Sequence, residues 1–468
     1  MHGMSQSKPL YLGPRLRRLR RELGLTQQAM ADELSVSASY VALLERNQRP
    51  ITAELLLRLA RTYRLEVADL AGEDAEDYGR RLTDILRDPL FADIDLPALE
   101  VADIATSFPG ITEAILRLHT AYQRETVALA SQRESGGDDA ASDPVGEARR
   151  YIAANRNFFA SLDVRAEELA AEIAQAGDAQ DWLKLKGVRL RLVPPDVLVD
   201  AVRRFDRHNQ QLLIADTLSG PSRDFQTALH IAYSYLREEI GNLLRRETFA
   251  SKTAEVLVRR ALAGYAAAAL RMPYDRFARA ASARHYDIEA LANLFGTSFE
   301  QVAHRLTTLH RPGAEGVPFF FIRVDPAGNV SKRLDGAGFP FAAHGGGCPL
   351  WNLHGTFGTP GQIRTQWLEL PDGQRFFSIA RTVSTGGGGW NQPAVSHAVA
   401  LACAAEHAPL LVYAQGIEPK SAPATPIGVS CRLCPRAACT ARAAPPIGRE
   451  ILADDQRRAP APYVFADD

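Results

Sequence analysis

No run of about 18 uninterrupted apolar residues, the length a membrane-crossing helix needs, occurs anywhere in the 468 residues. Ala263 to Leu270 is too short, and Ala394 to Ala414 is broken by His397, Glu406 and His407. The opening residues, MHGMSQSKPL, also lack the apolar core of a secretion signal. A cytoplasmic protein with no membrane partner is expected. Cysteine is missing before Cys348, and the five present (Cys348, Cys403, Cys431, Cys434, Cys439) fall in the last third. In a reducing compartment such clustering points to metal or redox chemistry more than to structural disulfides. Net charge is nearly absent too, at −1, so any attraction for a polyanion must come from a local patch. The chain is too long for one core, and two to four domains are expected.

A local patch is present. Between Pro14 and Arg64 there are ten arginines (15, 17, 18, 20, 21, 46, 49, 58, 61, 64) against five acids (Glu22, Asp32, Glu33, Glu45, Glu54). Inside it lies LTQQAMADELSVSASYVALLERNQRP, Leu25 to Pro50. Thr26 suits the N-cap of a short helix with Met30, Ala31 and Leu34 inward, Ser35-Val36 turns, and Ser37 caps a second helix with Val41 and Leu44 inward. A helix-turn-helix results, and its expected partner is a double-stranded DNA operator: the second helix fits a major groove and the first offers its N-terminus to a phosphate. The candidate contact residues are Gln27, Gln28, Ser37, Ser39, Tyr40, Arg46, Asn47 and Arg49. The motif resembles the Cro/cI-type (Xre) helix-turn-helix, with Ser35 where that family usually has glycine.

Downstream, Pro97 and Pro109 break a helical region, and Ile111 to Leu129 is a periodic helix with Ile111, Ile115, Leu118 and Tyr122 on one side. That side could pair two subunits into a homodimer or higher oligomer, or pack within its own domain; spacing does not separate the two. The polar stretch Glu134 to Asp143 reads as a linker. The domains expected are 8–72 (helix-turn-helix), 73–133 (helical connector), 134–143 (linker), 144–312 and 313–468. From Pro144 the pattern is mostly helical, with strand-like runs at Val188 to Val193 and Gln211 to Ala215. The segments FQTALHIAYSYLREEIGNLL and LAGYAAAALRMPYDRF resemble the ImmA/IrrE metallopeptidase-like fold, in which an HExxH helix holds zinc. Here His230 is followed by Ile231-Ala232-Tyr233-Ser234, so the glutamate and the second histidine are absent, and no acid lies between Val256 and Tyr274. A zinc-dependent peptidase is thereby disfavoured, and no enzyme is expected. The same face, His230, Tyr233, Ser234 and Tyr265, could instead hold a small ligand. Arg189 and Arg191, with Lys184 and Lys186 before them, could meet its phosphates or form a solvated strand edge.

After Pro312 the composition turns to strands: Val317 to Val324, Phe376 to Val383 and Leu410 to Tyr413. A helix-like segment spans about Gln392 to Ala405, and Thr385 to Trp390 (TGGGGW) suits a hairpin tip better than a phosphate loop. Cys431, Cys434 and Cys439 form C-x2-C-x4-C, three thiolates able to share one soft metal centre. Cys348 is the first choice of fourth ligand and Cys403 the second, while His344 or His354 would favour zinc. A [4Fe–4S] cluster is expected, zinc being the alternative and free thiols the bland reading. The fold expected is multidomain: an all-α front, a mainly α (α+β) zincin-like middle and an α+β C-terminal domain.

Four segments then run in one order: SYVALLERNQRPIT, YDIEALANLFGTSFEQVAHRLTTL, GGGCPLWNLHGTF and PIGVSCRLCPRAACTARAAPPIGR. Together they resemble the short-chain fatty-acyl transcriptional regulator family, which includes regulators of propionyl-CoA metabolism. The resemblance implies a DNA-binding regulator with a short acyl-CoA as effector, an iron–sulfur cluster in some members, and its clustered cysteines at Cys431, Cys434 and Cys439 beside Cys348.

Overall fold

The computed structural model describes residues 13–46, 48–63, 73–91, 94, 96–134, 143–199, 201–341, 347–387, 393–453 and 456–465. The chain divides into two compact units, Met1–Thr126 and Val127–Asp467.

The first unit is helical. Helices α1 (Gly13–Glu22), α2 (Gln27–Glu33), α3 (Ala38–Glu45) and α4 (Ala53–Tyr63) close on a core of Leu16, Met30, Leu34, Val41, Leu44, Leu55 and Leu59. Helices α5 (Glu73–Leu86), α6 (Ala98–Ser107) and α7 (Pro109–Glu134) follow. The inward side of α7 carries Thr112, Leu116 and His119, which are buried. His119 Nε2 lies 3.0 Å from the Asp88 carboxylate. The expected linker falls almost wholly outside the described residues.

In the second unit, α8 (Pro144–Ala154), α9 (Ala160–Gln175) and α10 (Ala179–Leu185) lead into a three-stranded sheet of order β1-β3-β2. Its strands are β1 (Arg189–Val193), β2 (Arg203–Asp206) and β3 (Gln211–Ala215). Strand β1 is parallel to β3 and β2 antiparallel. Both expected strands are present, and β2 joins them. Helices α11 (Gly220–Tyr235), α12 (Arg237–Arg245) and α13 (Lys252–Arg271) pack against this sheet around Trp182, Leu212, Ile214, Ile231 and Leu262. The small residues Ala263, Ala266, Ala267 and Ala269, all fully buried, let α13 approach its neighbours closely.

Helices α14 (Tyr274–Ala283), α15 (Ile288–Phe295) and α16 (Phe299–Leu306) cover a six-stranded sheet of order β5-β4-β8-β7-β6-β9. These are β4 (Phe320–Val324), β5 (Val330–Leu334), β6 (Arg364–Glu369), β7 (Arg375–Gly386), β8 (Ala394–Ala404) and β9 (Thr425–Pro426). Here the structure corrects two expectations. The segment read as helix-like, 392–405, is the strand β8, bonded to both β4 and β7. Val399, Leu401 and Cys403 face the helices, while Ala398, Ala400 and Ala402 face the opposite core. A strand buried on both sides has no polar alternation, and its alanines favour helix locally. Leu410 to Tyr413 is not a strand but two tight turns; Pro409 interrupts the run, and Leu411 and Ala414 plug the core. Of the glycine run, Gly386 and Gly387 close the described part of β7 where it pairs with β8, with φ of 82° and 72°; 388–390 lie outside the described residues.

A buried ion pair ties the helices of this unit together. Arg305 of α16 and Asp163 of α9 are both fully buried, Nη2 to Oδ1 at 2.5 Å. Arg305 also donates to Met272 O (3.1 Å) and Thr308 Oγ1 (3.0 Å), and the Tyr265 hydroxyl donates to the second Asp163 oxygen. Each guanidinium nitrogen of Arg305 and each carboxylate oxygen of Asp163 thereby has a partner, which offsets part of the cost of burying the pair.

Candidate functional site

Local caps build the helix-turn-helix. Thr26 Oγ1 accepts from Ala29 N at 3.1 Å and Ser37 Oγ from Tyr40 N at 3.2 Å. Ser35 sits between the helices at φ 52°, the left-handed geometry that explains the usual glycine. The outward residues are Gln28, Ser37, Ser39, Arg46 and Arg49, all exposed. Gln28 leans on Asp32 (2.8 Å), and the Ser39 and Ser37 hydroxyls pair at 3.0 Å. Asn47 lies outside the described residues.

Two candidates are less free than expected. Tyr40 is half-buried and its ring packs on the core. Gln27 Nε2 donates to Glu45 Oε2 at 2.8 Å. Glu45, which the sequence shows only as one acid among arginines, is 3% exposed and receives Arg20 through Nε (2.5 Å) and Nη2 (3.2 Å). Burial would raise its carboxyl; the bonds from Arg20 and Gln27 and the charges of Arg20 and Arg17 outweigh that and hold it below the usual range. Arg20 is therefore a clamp between α1 and α3, its Nη1 also reaching Leu25 O at 2.9 Å. Arg58 likewise serves Leu34 O and Glu54.

In the second unit the residues expected on one ligand face part company. His230 is 4% exposed, its ring 4.5 Å from that of Phe205. Burial, and then Arg203, pull its pKa down to about 4, so it is neutral at pH 7. Arg203 lies over the Tyr233 ring at 5.5 Å. Tyr265 is a correction: it is 5% exposed and its hydroxyl is committed to Asp163 and to Phe159 N (3.2 Å). It is core, because helical spacing gives a position along α13 but not the side to which it turns. Ile231, in the place of the peptidase glutamate, is fully buried. Ser234 instead lines an open cleft of about 960 Å³ between α11, α12 and α13, with Arg237, Arg245, Lys252 and Arg259 around it. Arg189 and Arg191 are exposed on the edge strand β1, the latter 3.4 Å from Gln211 Oε1.

Among the described residues no three His, Cys, Asp or Glu side chains converge where a metal ion could sit. The cysteine loop is nonetheless well built. Arg442, buried, donates to the carbonyls of Cys431 (2.8 Å), Cys434 (2.9 Å) and Arg436 (2.7 Å). Cys434 packs beside Gly428, where a Cβ would stand 2.8 Å from its sulfur. Burial pushes the Cys434 thiol up, Arg442 and Arg436 draw it down, and Cys348 raises it further, so the two cysteines share one electrostatic neighbourhood. Cys431 Sγ accepts from Ala443 N at 3.3 Å. Cys403 is fully buried in β8 with its thiol raised by burial, which makes it core. His344 lies outside the described residues, and His354 Nε2 is buried without a partner. Three thiols on a loop held by an arginine are a donor set suited to a soft metal.

A basic, capped helix-turn-helix on a chain whose body places Ile231 and Ser234 at the peptidase motif's positions defines the class as a DNA-binding transcriptional regulator. Residues 16–70 match the helix-turn-helix family, 184–307 the IrrE N-terminal-like domain, and 308–463 the family described as short-chain fatty acyl coenzyme A regulator, C-terminal. The propionyl-CoA carboxylase regulator of Cereibacter sphaeroides is 37% identical, covering 98% of this chain and 100% of its own. The regulators RamB and PrpR of Mycobacterium tuberculosis are 35% and 34% identical, each covering 97% of this chain and, respectively, 98% and 95% of their own. A solved Mycobacterium tuberculosis transcriptional regulator superposes with TM-score 0.63 at 33% identity, covering 69% of this chain and all of that one. The chain belongs to the short-chain fatty acyl coenzyme A regulator family. Among the described residues no helix is long and apolar enough to cross a membrane.

Proposed function

We propose that this protein is a cytoplasmic, homodimeric one-component regulator that reads a DNA operator through α2 and α3 and changes its grip when a short-chain acyl-CoA, such as propionyl-CoA, binds the second unit. The carrying observation is the pairing of an outward-facing recognition helix with a peptidase-like body that lacks the metal-binding motif and carries an open cleft beside it. Arg237, Arg245 and Lys252 at the cleft suit the phosphates of a coenzyme A, with Glu238 and Glu247 beside them and Arg259 paired to Glu255 at 2.6 Å, and the volume suits a ligand of that size. The effector acts by binding one subunit arrangement better than the other, which moves paired α3 helices into or out of register with half-sites about 34–36 Å apart. The test is a thermal-shift series with acetyl-, propionyl-, butyryl- and free CoA, joined to gel shifts on the protein's own upstream DNA. An acyl-CoA that raises the melting temperature and alters DNA affinity supports the reading; no response to any of them ends the effector assignment.

A [4Fe–4S] cluster on Cys431, Cys434, Cys439 and Cys348 belongs to the same proposal, supported by the thiol spacing and by the shared neighbourhood of Cys434 and Cys348. When bound, such a cluster would supply a redox-responsive centre, which gives the alternative reading of the protein as an iron–sulfur redox sensor. Zinc is the second candidate metal because His354 Nε2, unpartnered, lies 3.4 Å from where a Cβ on Gly347 would stand, one residue before Cys348. Anaerobic purification distinguishes them: brown protein that turns colourless as Cys434→Ser supports iron–sulfur, and colourless wild type carrying stoichiometric zinc replaces it.

A further inference from the structure

Two cations stand directly opposite each other at the edge of the six-stranded sheet. Arg323 of β4 pairs in register with Lys332 of β5, and Phe321 with Leu334. Side chains alternate along a strand, so all four point to the face that α14, α15 and α16 cover, where Phe321 and Leu334 join the core. Like charges set opposite each other across a strand pair are destabilising. Arg323 is answered: its Nη1 donates to Glu300 of α16 at 2.9 Å and its Nε to Ser331 Oγ at 2.9 Å. Lys332 is not. Among the described residues its ammonium has no ion pair and no hydrogen bond, and it leans instead on the ring of Phe321, 6.0 Å from Nζ. His304, one turn after Glu300 on α16, sets its ring 6.2 Å from the same Phe321 ring, and its ring nitrogens have no hydrogen-bond partner among the described residues either.

We propose that Lys332, Arg323 and His304 form a recess that takes a small oxyanion, a carboxylate or phosphate group, between α16 and the β4–β5 pair. The recess reaches solvent, since all three residues are half-buried, and the fully buried Phe321 is its floor. Charge carries the argument. Arg323 with Glu300 and Arg305 with Asp163 are neutral pairs, so Lys332 leaves one positive charge without a counter-ion. Burial lowers the pKa of Lys332, Glu300 raises it from beyond contact distance, and Arg323 lowers it again. An unpaired charge taken from water is costly, and a bound anion relieves both that cost and the repulsion across the strands. His304 is held neutral, its pKa kept well below the usual value by burial and then by the charges of Lys332, Arg305 and Arg323, so its imidazole keeps one N–H to donate. Nη2 of Arg323 is a third donor without a partner among the described residues. None of these residues lines the cleft of α11, α12 and α13, and the inference does not rest on the acyl-CoA reading.

The test titrates the full chain with sodium phosphate and with sodium acetate, against sodium chloride at equal ionic strength. A saturable rise in melting temperature with at least one oxyanion, matched by a heat of binding in calorimetry, is expected for the wild type. The two titrations tell a phosphate site from a carboxylate site. Lys332→Met is expected to bind that anion roughly tenfold or more weakly. In chloride alone it is expected to melt higher than the wild type, because the uncompensated charge is gone. Lys332→Arg is expected to keep the response. No saturable rise with either anion overturns the inference, as does a response that Lys332→Met retains in full. A Lys332→Met protein with unchanged far-ultraviolet dichroism that melts lower than the wild type in chloride overturns it too. If Lys332→Met loses dichroism, Lys332→Gln is judged by the same two readings. Saturating free CoA is expected to leave the heat of anion binding in place. Displacement by CoA overturns a site separate from the cleft, whereas a missing response to CoA itself counts only against the acyl-CoA reading.

Discussion

Ser35 shows what one atom costs. At φ 52° a Cβ is strained where glycine is not, so Ser35→Gly is expected to raise the melting of the first unit by about 1 kcal/mol, less the glycine's own chain entropy. Glu45 is the opposite case. Glu45→Ala removes the carboxylate that Arg20 and Gln27 share and is expected to cost about 3 kcal/mol, with DNA binding lost alongside the calorimetric transition of that unit. His230 carries a pH signature. Its folded pKa of about 4 lies below the ordinary 6.5, so between those values the unfolded chain binds the extra proton. Stability therefore falls as the pH drops from about 6.5 towards 4, by at most about 3 kcal/mol. His230→Gln should flatten that limb in melting curves taken across the window; an unchanged limb would assign it to other groups.

Among elements, α3 and the turn that follows it bear the DNA prediction. Arg46→Ala and Arg49→Ala are each expected to weaken binding evenly across sequences and to lower the slope of log affinity against log salt by about 1, the mark of a phosphate contact. Substitution of Ser39 should change sequence preference instead. The helix pair was legible in the sequence because its caps, Thr26 and Ser37, act within three residues of their partners. Strand β8 was not, since both of its faces are apolar and its pairing with β4 and β7 is set by chain remote from it. Distance along the chain also hid the partners that decide individual sites. Glu45 answers Arg20 across 25 residues and Tyr265 answers Asp163 across 102. The cysteine spacing was plain in the sequence, while the role of Arg442 as the clasp of that loop needed its three carbonyl bonds to be seen.

For the molecule as a whole, the buried Arg305–Asp163 pair is the keystone of the second unit. Asp163→Asn removes the negative partner of a fully buried guanidinium and should lower the melting of that unit by about 3–5 kcal/mol, whereas exchanging both residues for apolar ones of similar volume should cost far less. The position of Ile231 bears on reactivity as well. Rewriting Ile231 and Ser234 as glutamate and histidine would spell the zinc motif again, yet the new carboxylate would be sunk among Leu212, Ile214 and Leu262 with no water to activate. With hydrocarbon filling that socket, two letter changes would not make this chain cut a peptide, and substitutions around it can alter only what the body holds.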